Sequence, residues 1–68
     1  MAFDWHSDAI TRDTPVTERY RTTQNVRRFL TRETGLDPKL DRAFMAWIRS
    51  GEPKTMGDVA DKFRDRFG

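Results

Sequence analysis

Sixty-eight residues are enough for one small domain and exclude a second. No cysteine is present, which excludes a disulfide framework and any thiolate metal site. The formal charge of +2, from 13 basic and 11 acidic residues, is weak in total, so any electrostatic function must come from how the charges are distributed.

Residues 1–21 read as an N-terminal aromatic arm. Phe3 and Trp5 alternate with Asp4 and His6, the two-residue period of a short extended segment with one buried face. Asp13-Thr14-Pro15 is a turn signal, and Pro15 biases Thr14 to an extended conformation. Thr11, Thr14, Val16 and Thr17 favour strand over helix. Two forms are open: a short strand or hairpin, or an irregular arm pinned by its aromatics. This stretch is acidic, with Arg12 set against Asp4, Asp8, Asp13 and Glu18.

Helix one is predicted over 22–34. Thr22 or Thr23 can cap its first amides, and Gly35 can close it in the left-handed conformation. Val26, Phe29 and Leu30 stand at i, i+3, i+4 and mark its buried face. Helix two is predicted over 38–50, with Asp37 as cap and Pro38 at the first helical position. Its stripe is Leu40, Ala43, Phe44, Trp47 and Ile48, the broadest apolar face in the chain, which predicts a central position. Ser50-Gly51 and Pro53 end it. Helix three is predicted over 56–67, opened by a capping box at Thr55 and Asp58, with Met56, Val59, Ala60, Phe63 and Phe67 inward. The expected fold is mainly α, a compact three-helix bundle with the aromatic arm attached.

The charge is concentrated in one place. Residues 19–32 carry Arg19, Arg21, Arg27, Arg28 and Arg32 with no acid, whereas residues 33–68 carry seven charges of each sign. Gln24, Arg28, Thr31 and Arg32 fall on one side of helix one, with Arg21 joining them if the helix starts a turn earlier. Guanidinium forks suit phosphates, and amides of Gln24 or Asn25 suit base edges or sugar. The candidate nucleic-acid-binding set is therefore Arg21, Gln24, Asn25, Arg27, Arg28 and Arg32. The competing reading has these arginines paired with acids of the arm, such as Asp4, Asp8 or Asp13. In that case the aromatic arm, with an open Trp5 beside Phe3, and a face of helix three would serve a protein partner.

No catalytic constellation stands out. His6 is the only histidine and has no nucleophile motif beside it, so no enzyme is expected. Asp4, His6 and Asp8 alternate, but one imidazole and two carboxylates read as an exposed edge and not as a metal site. No cofactor motif occurs. Asp58, Asp61 and Asp65 interleave with Lys62, Arg64 and Arg66 as a solvated helix face. Trp47, in the middle of the helix-two stripe, is expected in the core. No apolar run approaches the ~18 residues of a membrane span. The acidic start lacks the pattern of a signal peptide, so a cytoplasmic protein is expected.

The blocks Phe3-Asp4-Trp5-His6, Thr23-Gln24-Asn25-Val26-Arg27-Arg28-Phe29, Asp41-Arg42-Ala43-Phe44-Met45 and Lys54-Thr55-Met56-Gly57-Asp58 are similar to a small uncharacterised bacterial domain. The similarity also takes in Ile10-Thr11, Asp13-Thr14 and Val16-Thr17. In longer members that domain often follows a SAP-like helix-extension-helix segment, a module type associated with nucleic acids. The resemblance implies a nucleic-acid context and carries no catalytic residue, since the family has no assigned activity. These 68 residues include no SAP-like segment.

Overall fold

The computed structural model describes residues 3–37 and 39–68. These form three helices: α1 (Gln24–Thr34), α2 (Arg42–Arg49) and α3 (Met56–Phe67). The core is built from Trp5, Ile10 and Tyr20 of the arm together with Val26, Phe29, Leu30, Phe44, Ile48, Met56, Val59, Ala60 and Phe63. α1 and α3 are the closest helix pair. α2 sends only Phe44 and Ile48 fully inward, so it flanks the core instead of occupying its centre.

Each helix begins where a side chain can take up free amides. Thr23 caps α1, its hydroxyl accepting from the Val26 amide at 3.2 Å. Gly35, at φ 72°, closes the helix by donating its amide to the Thr31 carbonyl at 2.7 Å. α3 has the expected capping box between Thr55 and Asp58. α2 starts a turn later than the sequence suggests, at Arg42. Asp41 is its cap, accepting from the Phe44 amide at 2.7 Å, and Arg66 grips the other carboxylate oxygen at 2.8 Å. The Asp37 carboxylate, the expected cap, instead makes a loose contact with the Lys39 ammonium at 3.9 Å, and the Asp37 carbonyl accepts the Lys39 amide at 2.8 Å. Pro38 lies outside the described residues. The later start leaves Ala43 exposed, while Leu36 and Leu40 pack the connecting loop against the core.

The arm is neither a hairpin nor an extended edge. Residues 5–8 turn, with the Asp8 amide donating to the Asp4 carbonyl at 2.9 Å. A second turn, centred on Arg12 and Asp13 ahead of Pro15, brings the Thr14 amide to the Thr11 carbonyl at 3.1 Å. Beyond it, Pro15 makes an antiparallel bridge with Thr55. The Val16 amide donates to the Lys54 carbonyl at 3.0 Å. Met56 and Gly57, the first residues of α3, donate their amides to the Thr14 and Arg12 carbonyls at 2.8 and 2.9 Å. A helix start has amides with no partner inside the helix, and here the arm supplies the acceptors. Residues 14–16 thus pair with the segment that opens α3, and the arm forms no hairpin of its own. Arg12 adds side-chain bonds, to Asp61 at 2.9 Å through both carboxylate oxygens and to Glu33 at 3.2 Å.

Three aromatic placements differ from the sequence expectation, those of Trp5, Trp47 and Phe67. Trp5 is buried, stacked edge-on between Phe3 at 4.7 Å and Tyr20 at 5.0 Å, so it forms no exposed patch. Trp47 is half-buried at the core margin, its indole N–H donating to Glu52 at 2.7 Å. Phe67 is 38% exposed and rests on Phe63.

Candidate nucleic-acid interface

The outer face of α1 follows from its inner one. Burying Val26, Phe29 and Leu30 turns Gln24, Arg27, Arg28, Thr31 and Arg32 outward, where together they line a shallow groove of about 380 Å³. All five are exposed. No acid of the described residues pairs with Arg27 or Arg28. The ion pairs there join Arg12 to Glu33 and Asp61, Lys39 to Asp37, and Arg66 to Asp41. Two carboxylates of the arm are occupied locally: Asp4 accepts from Ser7 Oγ at 2.6 Å and the His6 amide at 2.9 Å, and Asp8 accepts from the Asp4 amide at 2.8 Å. The Ser7 bond first, then the His6 amide, holds the Asp4 carboxyl below its ordinary range.

Three members of the candidate set are placed differently. Asn25 turns toward the arm and donates to the Asp8 carbonyl at 2.6 Å, which removes it from the outer groove. Arg32 stays at the groove but donates to the Ile10 carbonyl at 3.0 Å and lies 5.6 Å from the Phe29 ring centroid. Arg21 precedes the helix and leaves the α1 groove altogether. It joins His6, Thr22 and Thr23 on one side of a second groove, of about 580 Å³, whose other side is the Arg42, Met45, Ala46 and Arg49 face of α2.

Arg42 and Arg49 were not singled out in the sequence because residues 33–68 balance in charge. Their signal is spacing: with Met45 and Ala46 they stand at i, i+3, i+4, i+7, one helix face that also avoids Phe44 and Ile48. Tyr20 lines a neighbouring groove together with Arg21 and Arg49. Its hydroxyl accepts from Thr22 Oγ1 at 3.2 Å and feels both Arg27 and Arg49. Burial still dominates and raises the phenol above its ordinary value of 10.0; the Thr22 bond and the two arginines oppose it.

Among the described residues, no group of three metal-ligating side chains comes together, and no helix is long and apolar enough to cross a membrane. The architecture is that of a small three-helix domain with its arm folded into the core. Within that class, the chain belongs to the family described as a domain of unknown function (DUF6434), matched over residues 3–66. No curated protein and no solved structure matches it.

Proposed function

We propose that this chain is a small non-catalytic module of the cytoplasm that binds DNA or RNA through the outer face of α1. The observation that carries the reading is that Arg27 and Arg28 are exposed and without an acid partner among the described residues. Unpaired guanidiniums on one face suit phosphates, with Gln24 beside them for sugar or base contact. The resemblance to a bacterial domain that accompanies SAP-like segments supports the same context. Arg32 contributes charge while also holding the arm. The second reading is a protein-interaction module using the arm and a face of α3, in which Trp5, being buried, would not be the contact residue.

A salt titration of binding to mixed DNA and RNA tests this. Affinity should fall steeply with salt, because each neutralised phosphate releases condensed counterions. Arg28→Ala should lower the slope of log affinity against log salt by about 1 and weaken all sequences alike. A protein that binds neither polymer at low salt overturns the proposal.

A further inference from the structure

The second groove deepens this reading. Arg21, Arg42 and Arg49 come from two separate segments and line one concavity, floored by Met45 and Ala46. None of the three makes an ion pair among the described residues. Asp4 and Glu18, which line adjoining grooves, do not pair with them either. An anion seated in the groove relieves the mutual repulsion of the arginines. The two grooves adjoin along the chain, where Thr23 lines the second and Gln24, the next residue, lines the first.

We infer that the groove between α2 and Arg21–Thr23 is a second phosphate-binding seat, and that a nucleic-acid strand bound on α1 crosses at Thr23–Gln24 to reach it. The crossing rests on the α1 reading, whereas the phosphate seat stands on its own three arginines. The apolar floor of Met45 and Ala46 takes the sugar between phosphates.

The test compares the wild-type chain, Arg28→Gln and the double variant Arg42→Gln/Arg49→Gln. Each is titrated with a short mixed-sequence oligonucleotide, single-stranded and duplex, over a range of salt. Inorganic pyrophosphate serves as a free-phosphate probe, and amide shifts in NMR report where each ligand sits. The substituted side chains are exposed, and circular dichroism confirms that the variants fold. The double variant should lower the salt slope by about 2. The oligonucleotide should shift amides of Arg21–Thr23 and of α2 as well as those of α1, and bind more tightly than pyrophosphate. A normal slope in the double variant with a reduced slope in Arg28→Gln overturns the second seat and leaves the α1 reading standing. The reverse pattern overturns the α1 reading and the crossing, and supports the seat. Pyrophosphate binding the groove as tightly as the oligonucleotide overturns the crossing in favour of a free-phosphate site. Groove amides that move with neither probe, or only with a glutamate-rich peptide, overturn the seat.

Discussion

The hydroxyl of Thr23 donates to the Trp5 carbonyl at 2.7 Å while accepting from the Val26 amide at 3.2 Å. One buried side chain therefore starts α1 and ties the arm to it. Thr23→Val keeps the volume but removes both bonds. The lost cap costs about 1 kcal/mol, and the stranded Trp5 carbonyl about 1–2 more. At roughly 4–8 °C per kcal/mol for a domain this size, the melting temperature should fall by more than about 8 °C. Thr23→Ser should recover most of the loss. Equal melting curves for Thr23→Val and wild type would show that the bond carries no weight.

The two aromatic residues of α2 differ in depth. Phe44 is fully buried and meets Trp47, Phe63 and Phe67 with ring centroids 5.5, 5.7 and 5.8 Å away. Phe44→Ala should cost about 3–5 kcal/mol, close to the whole stability of so small a domain. Trp47 is half-exposed, so Trp47→Ala should cost only about 1–2 kcal/mol. Chemical denaturation of both variants, with the Trp47 variant the less stable, would contradict this placement.

Gly57 is a helix residue where alanine is the wrong choice. Alanine gains about 1 kcal/mol in helix propensity. Its Cβ, however, would stand 2.8 Å from the Arg12 carbonyl oxygen, which already accepts the Gly57 amide. Overpacking against backbone costs about 1–3 kcal/mol, so the net effect of Gly57→Ala should be destabilising. Hydrogen exchange should quicken at Met56 and Gly57, the amides held by the arm. A more stable Gly57→Ala protein would mean that the arm yields freely.

Tyr20 sets a limit at alkaline pH. Its phenol is raised in the folded protein, so above about pH 10 the unfolded chain releases that proton first. The unfolded state then binds fewer protons, and stability falls as pH rises. Below pH 10 the contribution is fully present. Tyr20→Phe should flatten this part of the stability–pH curve, measured by urea denaturation between neutral and strongly alkaline pH. An identical slope in wild type and variant would place the phenol in water.

Helix existence was legible because it depends on local chemistry. Thr23, Gly35 and the Thr55–Asp58 box act within a few residues, and the stripe of α1 repeats at helical spacing. What depended on distant partners was not legible. Asp37 stands out in the sequence because Pro38 follows it, whereas nothing local marks Asp41, whose second carboxylate oxygen is held by Arg66 from α3. Trp5 looked open because the segments that cover it, around Tyr20 and Thr23, lie far along the chain. At the candidate interface, the charge run marked Arg27 and Arg28. The departure of Asn25 to the Asp8 carbonyl and the arrival of Arg42 and Arg49 beside Arg21 required the tertiary fold.

The bridge of Pro15 to Thr55, with the arm carbonyls that receive the Met56 and Gly57 amides, has a consequence for how the protein is made. A ribosome releases the arm long before it releases α3. Until α3 emerges, Trp5 and Ile10 have no completed core to enter, and α1 lacks its closest neighbour. Closure therefore comes late in synthesis and joins the earliest and latest segments of the domain, and a nascent chain stalled before Thr55 exposes its aromatics to chaperones and proteases.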